Sequence, residues 1–318
     1  MTNNNYSNSR ENNSPILTRL YIYQKERFPI LGHGLLVASF SFSAISYSRI
    51  CRGVEGFVSW DRFFLGVFTT ITLFLLVRIF DEFKDASEDA MYRQELPVPR
   101  GLVSLKELAG VGFITVLFQI AINIYFFPAM LILYAVVIAY LLLMGKEFFV
   151  ASWLKKHPFW YVTSHMFIIP LVDIYASGID WLLEDADAPK GLMFFFAVSY
   201  MNGIVLEVGR KLRAKEKEKE GVLTYTSMLG KRRALLLWIG ILLVTLFLAI
   251  AASAFAGYGT AAFYILGVVW LICSIPAFLF LYRENEKLGK MIEYASILWT
   301  ISMYLTLGGI PMIIKLIE

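Results

Sequence analysis

The chain has 318 residues, of which 58% are apolar and only 17% are charged, and its mean hydropathy is +0.63. A soluble protein of this size cannot bury so much apolar surface, so the composition indicates an integral membrane protein. The net charge of only +4 argues against binding to nucleic acid. Two cysteines, Cys51 and Cys273, are too few for a disulfide framework, and His33, His157 and His165 lack the spacing of metal ligands. Disulfide-rich secreted proteins, zinc proteins and iron–sulfur proteins are therefore excluded.

Long apolar segments follow a polar amino-terminal segment. Residues 1–15 are rich in Asn and Ser, and we expect a disordered cytoplasmic tail that extends to residue 27. A spanning helix needs about 20 apolar residues, which predicts an all-α bundle of nine transmembrane helices, forming one domain over residues 28–318. The fifth helix is expected to kink at Pro170. The predicted helices cover residues 28–48, 58–80, 107–127, 128–145, 158–178, 191–209, 234–255, 259–281 and 292–314.

Lysine and arginine are distributed unevenly among the segments that connect these helices. With the N-terminus inside, 23 of the 29 basic residues lie in inner segments and 5 lie in outer segments. Basic residues accumulate on the cytoplasmic side of membrane proteins. We therefore expect a multi-pass protein, in the bacterial inner (cell) membrane, with a cytoplasmic N-terminus and an external C-terminus.

The end of the second predicted helix carries an acidic cluster. At about 100° per residue, a helix that continues beyond residue 80 places Arg78 and four carboxylates within roughly 100° of one another. Like charges one turn apart repel, and acids are disfavoured at a helix C-terminus, although a solvated charged turn would have the same composition. A divalent cation among the carboxylates removes both penalties, and an all-oxygen ligand set favours Mg²⁺. The carboxylates are those of Asp81, Glu82, Asp85 and Asp89.

The cluster is followed in register by Arg93, Pro97, Pro99, Gly101 and Ser104. With these residues the chain resembles the UbiA superfamily of intramembrane prenyltransferases. The first signature of that family reads N-D-x-x-D-x-x-x-D, followed by R-P-x-R-P-[IL]-P-x-G-x-[IV]-S. Nine helices is also the number typical of the family.

This chain departs from the first signature at several positions. Asp81 stands at the usual Asn and Glu82 at the first Asp, whereas the two later Asp positions match. Further on, Gln94 and Leu96 replace a Pro and an Arg. The resemblance implies that Glu82 and the two matching aspartates bind metal, while Asp81 orients or assists.

A second charged cluster lies at the end of the sixth predicted helix, where the family has D-x-x-x-D followed by G-[IV]-x-T. The tail of this motif fits, but Glu207 and Lys211 stand at the spacing of the two acids. Arg210 and Lys211 are suited to binding phosphate, and Glu207 either positions Lys211 or serves as a metal ligand. Glu216 is a further candidate metal ligand, although the Lys-Glu repeat around it also fits a solvated loop.

Three further polar residues lie near or within predicted helices. Lys146 follows the fourth helix, where the family places a lysine that faces the diphosphate, but an interfacial anchor lysine would look the same. His165 and Asp173 lie eight residues apart and near one face of the fifth helix. We expect His165 to be a packed residue. Asp173 either orients or deprotonates an acceptor, or forms a buried hydrogen bond near Pro170.

The resemblance implies Mg²⁺-dependent transfer of a prenyl chain from a polyprenyl diphosphate to a small-molecule acceptor within the lipid. A membrane terpene cyclase needs the same diphosphate site, and a lipid-binding or transport protein is the alternative outside enzymes. The expected catalytic residues are Asp81, Asp85 and Asp173. The expected metal ligands are Glu82, Asp85, Asp89 and Glu216. The expected diphosphate-binding residues are Arg78, Arg93, Lys146, Glu207, Arg210 and Lys211.

Overall fold

The computed structural model describes residues 12–219 and 221–318. Within these two ranges, nine helices are long and apolar enough to cross a membrane, which confirms the predicted all-α fold and number of spans. A shorter helix, α1 (Ile16–Arg27), precedes them. The spanning helices are α2 (Ile30–Arg52), α3 (Trp60–Lys84), α4 (Leu105–Phe126), α5 (Pro128–Gly145), α6 (Pro158–Trp181), α7 (Leu192–Arg210), α8 (Lys231–Phe255), α9 (Gly259–Tyr282) and α10 (Glu286–Ile317).

Small and polar residues mark the inner faces of the spans. Lipid is as apolar as a leucine side chain, so helices in a membrane associate through close backbone packing. The inner face of α2 accordingly buries Ser41, Ser43 and Ser46. Helix α10 packs there through a π-helical turn at Leu305–Gly309, and a Cβ atom on Gly308 would lie only 2.2 Å from the Ser43 carbonyl oxygen. This close approach therefore requires glycine.

Helix α3 extends one turn beyond its predicted end at residue 80 and stops at Lys84. Asp85 leaves the helical conformation, with φ −92° and ψ 2°, and a short helix, Ala86–Tyr92, follows. The sequence-based assumption of one continuous helix through Asp89 is therefore wrong. Successive carboxylates at a helix C-terminus repel one another and the negative end of the helix dipole, which disfavours a continuous helix at this position.

Helix α6 is interrupted close to the site of the predicted kink. The helix is interrupted at Phe167, between segments that end at Met166 and begin at Ile168. Pro170 has no N–H to donate to the carbonyl four residues earlier, so a helix weakens within the turn before a proline. The interruption lies within that turn.

The amino-terminal segment differs from the prediction. Residues 1–11 lie outside the described residues, but residues 16–27 form α1, so the prediction of disorder is wrong for this part. Arg19 donates to both carboxylate oxygens of Glu107 at 2.6 and 3.1 Å. Arg100 binds Glu26 in the same bidentate manner at 2.7 and 2.8 Å. These contacts to the segment around the start of α4 stabilise a helix whose composition alone resembles a polar tail.

The two ends of the bundle differ in polarity. Where α2 and α6 end, Arg49 donates to Asp180 at 2.9 Å and to Glu184 at 2.8 Å, and Arg52 also binds Asp180 at 2.9 Å. Asp180 is completely buried, so these ion pairs join the two helices and close that end. The opposite end, where α3 and α7 finish, contains the polar cavity described below.

Six spans precede Lys217 and nine precede Glu318. The two residues are thus separated by an odd number of spans and must lie on opposite faces of the membrane. We expect a cysteine at Lys217 and one at Glu318 to react with an impermeant thiol reagent from opposite sides. The measurement compares labelling of intact and permeabilised cells, in a background with Cys51 and Cys273 replaced by Ala. Labelling of both positions from one side would contradict the nine-span arrangement.

Candidate active site

A cavity of about 430 Å³ opens between the ends of α3 and α7. Asp85 and Asp89 of the first charged cluster line it, together with Lys211 of the second. Tyr161 at the start of α6 and Tyr225 contribute aromatic rings with hydroxyl groups. The fold thus brings the two predicted clusters to one cavity, although they are more than 100 residues apart in the sequence.

Asp85 and Asp89 are the two carboxylates of the first cluster that line the cavity. Lys84 lies 3.6 Å from the Asp85 carboxylate, and Arg93 lies 3.2 Å from that of Asp89. Burial raises the pKa of the Asp85 carboxyl despite the lowering effect of Lys84. Burial likewise raises the pKa of Asp89, against the effect of Arg93. A further positive charge in the cavity would therefore favour the ionised form of both carboxyl groups.

Glu82, in contrast, is turned away from the cavity and is only 1% exposed. Its Oε1 accepts a hydrogen bond from Arg27 Nε at 2.7 Å and one from Arg78 Nη2 at 2.8 Å. Tyr23 lies at 3.5 Å from the same oxygen. A carboxylate enclosed by two guanidinium groups is neutralised, so the prediction of Glu82 as a metal ligand is not supported by this arrangement. Arg78 is correspondingly committed to Glu82.

Lys84 was missed by the sequence analysis and occupies the centre of the first cluster. Its ammonium lies 3.4 Å from Asp81 and donates to the Tyr161 hydroxyl at 2.5 Å. Asp81 also lies 3.8 Å from Arg78, and it is not among the cavity-lining residues. The spacing of three residues between Asp81 and Lys84 could have indicated this contact, because residues three apart are neighbours on a helix.

The loop after the first cluster owes its shape to the residues of its motif. Gly101 has φ +78°, a left-handed conformation that glycine adopts readily. Ser104 caps α4 by accepting from the Glu107 amide, and the Glu107 carboxylate accepts from the Ser104 amide in return. The same Glu107 binds Arg19 of α1. The motif residues therefore fix the start of α4 and the docking site of α1.

The second cluster is an ion-pair triad at the end of α7. Glu207 is 5% exposed, and its two oxygens accept from Arg210 Nε at 2.6 Å and from Lys211 Nζ at 2.7 Å. Lys211 lines the cavity, whereas Arg210 and Glu207 do not. The triad carries one net positive charge. Of the two roles predicted for Glu207, the geometry matches positioning of Lys211.

Glu216 does not lie at the cavity. Its carboxylate accepts from the backbone N–H of Glu286 at 2.9 Å, at the start of α10. An acidic side chain at a helix N-terminus is stabilised by the helix dipole, which accounts for this position. The prediction of Glu216 as a metal ligand is therefore not supported.

Gly221 and Thr224 of the second motif shape the loop after α7, which packs against the segment that carries the first cluster. Gly221 has φ +76°, and a Cβ atom there would lie 2.3 Å from the Tyr92 ring, so the loop can pass this ring only with glycine. Thr224 caps the short helix Tyr225–Leu229 by accepting from the Ser227 amide at 3.0 Å. The loop after α7 thereby rests on the short helix that carries Asp89.

Lys146 is exposed and does not line the cavity, but its neighbour Glu147 does. Three successive residues that are not glycine have positive φ, namely Glu147 (47°), Phe148 (53°) and Phe149 (60°). Such backbone is strained and is common near functional sites. The turn directs Glu147 into the cavity and Lys146 outward, contrary to the prediction for Lys146. None of the three residues is glycine, so their identities do not reveal this turn.

The two polar residues predicted within α6 lie in different surroundings. His165 stacks on Tyr161, with ring centroids 4.0 Å apart, and its Nδ1 lies 2.8 Å from the Tyr161 carbonyl oxygen. It is the packed residue that was expected. Asp173 is completely buried next to Ser199, away from the cavity lining. Its role towards an acceptor stays a prediction.

Potential metal ligands are dispersed in this arrangement. In the part of the chain that the structure describes, no group of three or more His, Cys, Asp or Glu side chains is close enough to hold a metal ion. The cavity therefore combines four lining carboxylates with four lining cations. The carboxylates are those of Asp85, Glu88, Asp89 and Glu147, and the cations are Lys84, Arg93, Lys155 and Lys211. Such a site is suited to an anionic ligand that brings oxygen atoms of its own.

Comparison with known proteins agrees with these observations. The model of the UbiA prenyltransferase family matches residues 39–301. A solved structure, reported in work on the biosynthesis of digeranylgeranylglyceryl phosphate synthase in membranes, superposes with a TM-score of 0.54 at 16% identity, covering 92% of this chain and 99% of that one. That likeness shows a shared fold. No curated protein sequence matches. Enzymes of this family use prenyl diphosphates and are generally metal-dependent. The chain belongs to the UbiA prenyltransferase family and is a membrane prenyltransferase.

Proposed function

We propose that the enzyme transfers a prenyl chain from a polyprenyl diphosphate to a small-molecule acceptor inside the membrane, with Mg²⁺ as cofactor. The observation that carries this proposal is the cavity whose walls include Asp85, Asp89 and Lys211. Its volume of about 430 Å³ falls in the usual range of small-molecule sites. Carboxylates and cations together suit a diphosphate that enters with a metal ion.

The donor set fits one Mg²⁺. This ion usually takes one or two carboxylates and completes its shell with water and substrate phosphates, and Asp85 and Asp89 offer those carboxylates. Glu82 and Glu207 are each held by two cations and are not available. When bound, the ion would neutralise charge on the diphosphate leaving group.

The protein's own cations supply the remaining positive charge. Lys211, Arg93 and Lys84 line the cavity and can donate to phosphate oxygens. Glu207 holds Lys211 at 2.7 Å and so orients its ammonium group. Fixed cations stabilise the charge that develops on the diphosphate when the allylic C–O bond breaks and its electron pair passes to the leaving oxygen.

Apolar side chains complete the lining of the cavity. Leu154, Val162, Leu223 and Met228 belong to its lining. An allylic cation survives only where water is scarce, until the nucleophile of the acceptor forms the new bond. Asp173, which lies deeper in the bundle, is retained as a candidate for orienting that acceptor.

We also propose that the cavity opens to the cytoplasm of a bacterial cell. The inner segments, which hold 23 of the 29 basic residues, include both charged clusters. Polyprenyl diphosphates carry their charge at one end, so the charged end would lie at this interface and the prenyl chain in the lipid.

Asp85→Asn tests the metal site. The substitution keeps the size of the side chain and removes the charge, so we expect turnover to fall by at least about 100-fold, the scale of metal-ion catalysis. The measurement is mass spectrometry of products formed by purified protein from diphosphates of several chain lengths and candidate acceptors, with Mg²⁺ and with EDTA.

Asp187→Asn is the matched control, because Asp187 is exposed in the loop between α6 and α7. Near wild-type turnover by Asp85→Asn would contradict the proposed metal site. A prenylated acceptor supports transfer, a cyclic hydrocarbon would indicate a terpene cyclase, and the absence of any product with wild-type protein would argue against an enzyme of this specificity.

Lys211→Ala tests the second cluster. A charge-assisted hydrogen bond to phosphate is worth about 1.5–3 kcal/mol, so the apparent affinity for diphosphate should fall by roughly 10- to 150-fold while the Mg²⁺ requirement changes little. Because Glu207 positions Lys211, Glu207→Gln and Lys211→Ala should be non-additive in a double-mutant cycle. Steady-state kinetics at varied diphosphate and Mg²⁺ provide both values.

Lys287→Ala serves as the control for loss of a lysine at the same end of the bundle, since Lys287 is exposed at the start of α10. Wild-type kinetics in Lys211→Ala would remove this residue from the diphosphate site. A large rise in the Mg²⁺ requirement of Glu207→Gln would instead show that Glu207 is a metal ligand.

A further inference from the structure

The contact between α1 and Glu82 joins the amino-terminal segment to the acidic cluster. We infer that α1 is part of the active site and that Arg27 is a positioning residue, which sets how strongly the cluster binds metal relative to diphosphate. This inference rests on the proposed function. It concerns a segment that precedes the signature motifs and lies outside the residues matched by the family model.

Several contacts hold α1 so that Arg27 reaches the cluster. Arg19 binds Glu107 in a bidentate manner and also donates to the Leu102 carbonyl at 2.9 Å. Tyr23, one turn before Arg27, is 4% exposed and packs in a small apolar cluster with Ile79, Leu102, Val103 and Leu108. The helix is thus fixed over the motif loop, and its last residue faces the end of α3.

Arg27 connects the hidden part of the cluster with the cavity wall. Its Nε lies 2.7 Å from Glu82 Oε1, and its Nη2 lies 4.0 Å from Asp89 Oδ2. Glu82 is enclosed, whereas Asp89 lines the cavity. One guanidinium group therefore acts on both carboxylates.

The cluster is electrically balanced only when Arg27 is present. Each of its four carboxylates lies within 4.0 Å of at least one of four cations. Three of these cations belong to the same segment, residues 78–93, and the fourth comes from α1. The carboxylates are Asp81, Glu82, Asp85 and Asp89, and the cations are Arg27, Arg78, Lys84 and Arg93.

Because of this balance, loss of Arg27 should change the affinities for metal and for diphosphate in opposite directions. Without it, Glu82 keeps Arg78 alone and the cluster gains one net negative charge. Metal affinity of the free protein then rises and affinity for a metal-free diphosphate falls, because the two ligands have opposite charges. A helix that served only to stabilise the fold would change both affinities in the same direction.

The experiment measures two affinities of purified full-length protein in detergent. Mn²⁺ binding without diphosphate is followed by electron paramagnetic resonance, and binding of inorganic pyrophosphate in EDTA by calorimetry. For Arg27→Ala we expect Mn²⁺ to bind about 10-fold more tightly and pyrophosphate about 10-fold more weakly, the scale of one unit charge several Å away in a partly buried site. Arg27→Lys keeps the charge and should stay near wild type in both.

Lys25→Ala is the matched control, because Lys25 is an exposed cation on the same helix and should leave both affinities unchanged. If Arg27→Ala is not recovered folded, Arg27→Gln takes its place. Parallel losses of both affinities, no change in either, or Arg27→Lys behaving like Arg27→Ala would each overturn the inference. Wild-type protein that binds neither probe would contradict the proposed function itself, and the inference with it.

Discussion

The buried carboxylate of Glu82 is the group on which the arrangement of this site depends. An ionised carboxylate that is 1% exposed must be paired, and removing one member of a buried ion pair typically costs about 3–5 kcal/mol. Arg78 lies one helical turn before it, and Arg27 reaches it from α1. Keeping Arg27 there requires α1 to dock on the motif loop. The position of a segment that looks like a polar tail thus follows from one buried charge.

The two charged clusters differ in net charge from a pair of acidic motifs. The first is balanced by three cations of its own segment and by Arg27 of α1, and the second carries one net positive charge through Arg210 and Lys211. A diphosphate needs positive charge from metal ions or from side chains, and in the proposed site Lys84, Arg93 and Lys211 would provide part of it. Under the proposed function, Asp85 and Asp89 in the cavity wall would hold one metal ion, and Glu207 and Lys211 in place of the second acidic pair are compatible with the same diphosphate.

The sequence predicts the spans well, because their apolar length is a local property. It also singles out Asp85, Asp89 and Lys211, three residues that line the cavity, since motif spacing and membrane position are local as well. It does not predict that α1 is ordered, because bidentate contacts such as that between Arg19 and Glu107 join residues 88 positions apart. The break at Asp85 was missed for a related reason: a periodicity argument assumes a regular helix, and repulsion among successive carboxylates ends it.

The turn at Glu147–Phe149 shows how a single backbone feature changes which residue serves the site. Left-handed backbone costs about 1–2 kcal/mol per residue that is not glycine, so packing must compensate. The Phe148 ring does so, lying edge-on to Tyr140 and His165 with centroids 5.5 and 5.9 Å away. In the sequence, Lys146 and Glu147 follow α5 as charged residues commonly follow the end of a helix. The strain therefore has no local signature, and its result, a carboxylate in the cavity wall where a lysine was expected, follows only from the packed structure.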